Sequence, residues 1–270
     1  MANHIQFSIE AAQEQQEILI SQLADLDATG FEQSDTHLLV YFEEDSFQSY
    51  EVNQVLSSYP FTTSTIQEQN WNAVWESNFD PVIVDDFCGI RAHFHSPIPD
   101  VRFEILITPK MSFGTGHHAT TYMMMQQMRG MDFRNTSVFD FGTGTGVLAI
   151  LAEKLGAASV LAIDNDEWSI ENAAENIEKN GCSKIEVMLQ SYISNENAYD
   201  IILANINRHV ILKHFLHLKK AVKPGGYILF SGLLNSDQEI INKEAEQYGL
   251  KCIKDLQRSN WISLLYVNEK

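Results

Sequence analysis

The alternation of hydrophobic and polar positions changes period repeatedly along the chain, and each change marks an element. His4 to Ile9 has the two-residue period of a strand, Ala11 to Leu26 gathers Ile18, Leu19, Leu23 and Leu26 on one side of a helix, and Gly30 interrupts the pattern. Phe31 to Gln33 and His37 to Phe42 read as strands, Ser46 to Ser57 as a helix begun by Ser46, and Phe61 to Gln67 as a further strand. Short β-rich runs follow at Val82 to Val84, Ile90 to Phe94 and Phe103 to Ile107. From Val138 onward strands and helices alternate. Val138 to Phe141 is a strand, followed by a helix through Leu155, a strand Ser159 to Ile163, a helix Glu167 to Asn180, and strands Ile185 to Leu189 and Tyr199 to Leu203. A helix Arg208 to Val222, a strand Tyr227 to Ser231 and a helix Ser236 to Tyr248 come next, and Leu250 to Gln257 and Trp261 to Val267 close the chain as a pair of strands.

Two domains follow from this order. Residues 1–67 run βαββαβ, the order of a ferredoxin-like α+β unit with two helices on one face of a small antiparallel sheet. Residues 68–80 form a linker whose Trp71 and Trp75 suit docking against a neighbour better than a free tether. Residues 81–270 are expected to form an α/β domain, doubly wound around a mostly parallel sheet with an antiparallel edge.

Composition narrows the function. The chain has 36 acidic and 18 basic residues, a formal charge of −18, which disfavours a nucleic-acid substrate and favours a cationic partner. No apolar run is long enough to span a bilayer, and the first residues lack a basic, then apolar, leader pattern, so a cytoplasmic protein without a membrane partner is expected. Cys88, Cys182 and Cys252 are few and far apart, and are read as packing residues.

The chemistry concentrates in Val138 to Ile150, where a hydrophobic strand meets the turn Gly142-Thr143-Gly144-Thr145-Gly146 and then a helix. Strand, glycine turn and helix present a nucleotide-like ligand at the carboxyl end of a sheet. The dinucleotide fingerprint needs its third glycine where this chain has Val147, and a phosphate-binding loop needs a Lys followed by Ser or Thr, so neither pattern is met. A second strand ends in Asp164, 22 residues beyond Gly142, where a carboxylate can accept hydrogen bonds from both ribose hydroxyls of an adenosine. Asn165 or Asp166 is available to cap the helix that follows. The run Asp200-Ile201-Ile202-Leu203-Ala204-Asn205-Ile206-Asn207 carries a polar pair to the edge where reacting atoms gather, and Lys223-Pro224-Gly225-Gly226 is a structural turn.

Together VFDFGTGTG, Asp164, DIILAN and KPGGYILFSG resemble the class I S-adenosylmethionine-dependent methyltransferases. The upstream MSFGTGHHATT, with LAILAEKLGA, ENAAENIEKNG and NWISLLYV, looks more narrowly like the lysine methyltransferases that modify the eleventh protein of the large ribosomal subunit. The resemblance implies a seven-stranded Rossmann-like methyltransferase sheet, S-adenosyl-L-methionine as cofactor, and a basic ribosomal protein as partner, with residues 1–67 recognising it. It also implies that Gly142, Thr143 and Gly144 lie against the methionine portion, that Asp164 and Asn165 hold the nucleoside, and that Asn205 and Thr121 contact the cofactor near the transferred methyl. The stretch Phe113, Gly114, Thr115, Gly116, with Thr120 and Thr121, is expected to cover the cofactor as a loop.

Asn205 and Asn207 are expected to orient the substrate amine through their side-chain oxygens, and His117 is a candidate base. Adjacent His117 and His118 diverge, and no Glu or third His stands at ligand spacing, so no metal site is expected. Enzymes that methylate adenine or glutamine amides carry two prolines and an aromatic after the Asn or Asp; here Ile206-Asn207-Arg208 follow Asn205, which argues against those substrates. A small-molecule N- or O-methyltransferase and a non-catalytic binding protein that keeps the cofactor fold are the remaining alternatives.

Overall fold

The computed structural model describes residues 4–24, 26–43, 49–66, 80–108, 118–192, 196 and 198–269, and the chain divides into two compact units, Met1–Phe79 and Asp80–Lys270. The segment read as a linker lies outside the described residues except at its end, as does the proposed cap Ser46.

The first unit contains β1 (His4–Glu10), α1 (Gln13–Ala24), β2 (Gly30–Gln33), β3 (His37–Glu43), α2 (Ser49–Leu56) and β4 (Phe61–Ile66). Its antiparallel sheet has the order β2-β3-β1-β4. Alternation in β3 turns Leu38, Val40 and Phe42 inward, onto Phe7 and Ile9 of β1, Leu19 and Leu23 of α1, and Val52 and Leu56 of α2. Ile18, expected on the inner side of α1, faces solvent. The inner face runs instead through positions 16, 19 and 23, and Gln16 is fully buried because its Nε2 donates to Ala11 O (2.8 Å) and Ser34 O (2.9 Å).

The second unit opens with β5 (Val82–Val84), β6 (Cys88–Ala92) and β7 (Phe103–Ile107), a three-stranded sheet in that order. Then come α3 (Ala119–Met128), β8 (Ser137–Phe141), α4 (Val147–Lys154), β9 (Ser159–Asp164), α5 (Glu167–Lys179), β10 (Ile185–Leu189), β11 (Tyr199–Asn205) and α6 (Arg208–Ala221). The unit ends with β12 (Val222–Leu234), a 3-10 turn at Asn235–Asp237, α7 (Gln238–Gln247), β13 (Leu250–Arg258) and β14 (Trp261–Asn268). The main sheet is mixed, ordered β10-β9-β8-β11-β12-β14-β13, with β14 antiparallel to both of its neighbours. Its central strands are buried on both faces, as the near-continuous apolar run of β11 requires. Cys88 is buried, Cys182 and Cys252 are partly buried, and all three are free.

Strand order reverses between β8 and β11: β9 and β10 lie on one side of β8, and β11 and β12 on the other. The crossovers diverge there and leave a crevice at the carboxyl ends. The amino ends are pinned by Asp200, which accepts hydrogen bonds from Ser137 N (2.8 Å), Ser137 Oγ (2.7 Å) and Lys223 Nζ (2.9 Å). Lys223 to Gly226 is a bulge within β12, bracketed by the pairs Tyr199 with Val222 and Ile201 with Tyr227.

One element corrects the sequence reading. Thr120 and Thr121, expected in a covering loop, are the first turn of α3. Thr120, Thr121, Met123, Met124, Met125, Gln127 and Met128 are buried, so the helix is enclosed nearly all round and shows no polar stripe.

Candidate functional site

The glycine turn joins β8 to α4, and Gly142, Gly144 and Gly146 all adopt left-handed φ, of 75°, 54° and 80°. The turn is tied down by its neighbours. Gly142 N and Thr143 N both donate to Ile163 O at 2.9 Å, and Gly144 N donates to Asp164 Oδ2 at 2.9 Å. Asp166, not Asp164, caps α5, accepting from Ser169 N (3.1 Å) and Ser169 Oγ (2.9 Å). Asp164 is thereby left at the rim of the crevice, where it also accepts from Asp166 N at 3.1 Å.

Beneath the turn, Thr143 Oγ1 donates to Asp140 Oδ2 at 2.6 Å, and Asp140 Oδ1 is buried with no hydrogen-bond partner among the described residues. Burial pushes the Asp140 carboxyl up to about 7; the Thr143 bond opposes this, the Asp164 charge adds to it, and the backbone N–H of Ala149 opposes it.

Asn205 ends β11 beside this turn. Its Nδ2 donates to Thr121 Oγ1 at 3.1 Å, while its buried Oδ1 has no partner among the described residues. Ile206 then passes between two glycines: a Cβ on Gly142 would meet Ile206 Cγ2 at 2.3 Å, and one on Gly232 would meet Ile206 O at 2.4 Å. Asn207 caps α6, its Oδ1 accepting from Val210 N at 3.1 Å, so the oxygen assigned to the substrate amine already serves a helix.

A cavity of about 680 Å³ brings together Gly142, Gly144, Asp164, Asn165, Asn205 and Asn207. A second, of about 20 Å³, is lined by Thr121, Gly142, Thr143 and Asn205 among others. Thr120 lines neither; its Oγ1 lies 2.7 Å from Nδ1 of His118, the cap of α3. Phe113, Gly114, Thr115, Gly116 and His117 lie outside the described residues. The structure adds Ile206, Gly232, His118 and Trp261 to the cavity wall, the last two ring to ring at 4.5 Å. Gly232, a glycine directly after an apolar strand, was the one local signal for these. His209, Lys213 and His214 of α6 also line it. Among the described residues no group of three His, Cys, Asp or Glu side chains could hold a metal.

With this geometry in place, comparison with known proteins is decisive. The family model described as ribosomal protein L11 methyltransferase (PrmA) matches residues 6–269. The chain belongs to this family. A ribosomal protein L11 methyltransferase of Porphyromonas gingivalis is 38% identical over 260 residues, covering 93% of this chain and 90% of the relative. That of Chlorobaculum tepidum is 35% identical over 278 residues, covering 97% and 96%. The crystal structure of ribosomal protein L11 methylase from Lactobacillus delbrueckii subsp. bulgaricus matches with a TM-score of 0.66 at 27% identity, over 71% of this chain and all of that one.

The family member described here is an S-adenosylmethionine-dependent methyltransferase, and its residues fit that cofactor. The cavity has the volume of a small-molecule site. Gly142 and Gly144 leave the turn's backbone open to close approach, Asp164 offers carboxylate oxygens to a ribose, and Asn205 holds an unused acceptor between them and α6.

Proposed function

We propose that the protein methylates amino groups of ribosomal protein L11, lysine ε-amines and the amino-terminal α-amine, with Asn205 orienting the acceptor. The observation that carries this is Asn205 Oδ1, buried without a partner among the described residues at the carboxyl end of β11, on a residue that lines the same cavity as the glycine turn and Asp164. S-adenosylmethionine, when bound, supplies a methyl group already activated on a sulfonium, so the chain has to position, orient and exclude water. Asp164 and Asn165 would hold the nucleoside, and Gly142, Thr143 and Gly144 the methionine portion. An ammonium has no lone pair, so the amine must arrive neutral or lose its proton to water. Asn205 Oδ1 accepts an N–H of that neutral amine and leaves the lone pair directed away from the amide. In this arrangement Nδ2 donates to the Thr121 hydroxyl and Oδ1 is the end left to accept.

Residues 1–67, the ferredoxin-like unit, recognise the protein substrate, and the large sheet is the seven-stranded Rossmann-like catalytic scaffold. The net charge of −18 supports a basic protein partner and disfavours nucleic acid as a substrate. Incubation with labelled S-adenosylmethionine and, in parallel, unmodified L11 or a metabolite extract tests the proposal. Label in L11 lysines is expected; label only in a metabolite, or cofactor binding without transfer, rejects it. Removing residues 1–67 should abolish L11 methylation and leave cofactor affinity intact.

A further inference from the structure

Asn205 orients a neutral amine but does not make it neutral. A lysine ε-amine has a pKa of about 10.4 in water, so only a small fraction is neutral near pH 7. Desolvation or a nearby like charge must lower it.

The sulfonium of the bound donor is one such charge, and the cavity wall beside Asn205 supplies a second that is present whether or not the donor is bound. α6 starts three residues after Asn205, and its first two turns place His209, Lys213 and His214 on the cavity that Asn205 lines. His209 and Lys213 stand four positions apart and so share a face. Two other cations of this helix are paired: Arg208 with Asp237 at 2.7 Å, and Lys220 with Glu196 at 3.2 Å. Lys213 forms no ion pair or hydrogen bond among the described residues. His214 packs edge-on against Phe141 at 5.3 Å, and its pKa is lowered by burial first, then by the charges of Lys213 and His217. It is therefore neutral at pH 7, and Lys213 carries the fixed charge.

The other titratable groups on the cavity are His118, at the start of α3, and Asp164, the one carboxylate among its described lining residues. Asp164 ends β9, two strands from β11, roughly 10 Å across the sheet, and is engaged with Gly144 N. The amino end of α6 adds partial positive charge on the Asn205 side. Attraction by the acidic chain and a locally positive wall are compatible, because the net charge acts on the partner as a whole while Lys213 acts within about one Debye length, roughly 8 to 10 Å, of the acceptor.

We infer that Lys213 sets the protonation state of the methyl acceptor: its positive charge on the cavity wall holds the bound amine below its free-solution pKa, so that Asn205 receives the neutral form. The inference rests on the amino-group reading above. Lys213 acts through its field and is a positioning residue, not a catalytic one. A charge on the order of 10 Å away at the edge of a partly desolvated site shifts an amine by roughly 0.5 to 1 pKa unit.

The test uses full-length protein, S-adenosylhomocysteine, which cannot transfer a methyl, and L11 carrying carbon-13 at its lysine ε-carbons. Titrating the ε-carbon resonance of the bound target lysine reads its pKa directly. It should lie below that of free L11, rise by roughly 0.5 to 1 unit in Lys213→Met, rise further in Lys213→Glu, and return in Lys213→Arg. Single-turnover rates at saturating L11 should show the same shift: Lys213→Met is roughly 3- to 10-fold slower near neutral pH and converges on the native rate as pH approaches the free-amine value. Equal bound pKa values in all four proteins overturn the inference, as does a rate loss that is the same at every pH. Failure of the folded, cofactor-bound protein to bind L11 overturns the functional reading and this inference with it, whereas a bound lysine of unshifted pKa overturns this inference alone.

Discussion

Asn205 Nδ2 donates to Thr121 Oγ1 across 3.1 Å, joining the end of β11 to the first turn of α3 over 84 positions of sequence. The amide nitrogen is used there, and among the described residues the oxygen has no partner. A Thr121→Val variant removes the acceptor while keeping the shape, and leaves a buried N–H unsatisfied unless the amide turns over. Turnover on L11 should fall roughly 10-fold or more in Thr121→Val and on the order of 100-fold in Asn205→Ala. The double variant should be no slower than Asn205→Ala. Additive losses would show that Thr121 acts independently of the amide.

Asp164 has two tasks in the structure: its carboxylate oxygens accept from Gly144 N and Asp166 N, and from a half-buried position it lines the cavity. Asp164→Asn can keep the first through its carbonyl but replaces one of the acceptors offered to a ribose with a donor. Cofactor affinity measured by calorimetry should drop about 10- to 100-fold in Asp164→Asn, and further in Asp164→Ala, since a lost hydrogen bond to a charged group is worth roughly 1.5–3 kcal/mol. Thermal stability should change little in Asp164→Asn, because Asp166 still caps α5, and should fall by about 1 kcal/mol or more in Asp164→Ala, which loses the bonds from Gly144 N and Asp166 N. Unaltered affinity in both would remove Asp164 from the site.

The parts of this site that depend on local chemistry were legible in the chain. Gly142, Gly144, Asp164 and Asn205 could be found because a tight turn demands glycine and strand ends are marked by a change of period, and the structure brings all four to one cavity. What was hidden depends on tertiary context. Helix α3 gives no periodic signal because it is surrounded, and Asn207 is indistinguishable from a substrate contact until its oxygen is seen on Val210 N. The apolar pattern groups Ile18 with Leu19 and Leu23, but Gln16 takes the inner side of α1 by satisfying its amide on two loop carbonyls, and Ile18 faces solvent. The cationic wall of α6 is invisible in the net charge, which has the opposite sign.

Asp140 links stability to pH. Its carboxyl titrates at about 7 in the folded chain against a reference of 3.8, with burial as the main cause. Between those values the native state holds a proton that the unfolded chain has released, so stability falls as pH rises from about 4 to about 7 and levels off above. Asp140→Asn imitates the neutral form and should lose this component. Denaturant midpoints of native and variant proteins measured across that window should separate progressively as pH rises, the variant gaining relative to the native chain. Curves that stay parallel would mean that the carboxyl is not protonated in the fold.

Ile206 threads between Gly142 and Gly232, and the two glycines should respond differently to the same substitution. At Gly142 the obstacle to a Cβ is a side-chain methyl, Cγ2 of Ile206, at 2.3 Å. At Gly232 the obstacles are backbone atoms of Ile206, its O at 2.4 Å and its carbonyl carbon at 2.7 Å. Both positions have positive φ, which alone costs an alanine roughly 1–2 kcal/mol. Gly142→Ala should therefore destabilise the protein by about 2–4 kcal/mol and weaken cofactor binding, and adding Ile206→Ala should recover the steric part but not the cost of φ. Gly232→Ala should lose more, and Ile206→Ala should not rescue it, because trimming a side chain leaves the carbonyl in place. Chemical denaturation of the three single and two double variants reads both effects. Equal rescue at both positions would show that the loop after β11 can shift away from β12, and that the close approach between Ile206 and Gly232 is not what holds Asn205 at the cavity.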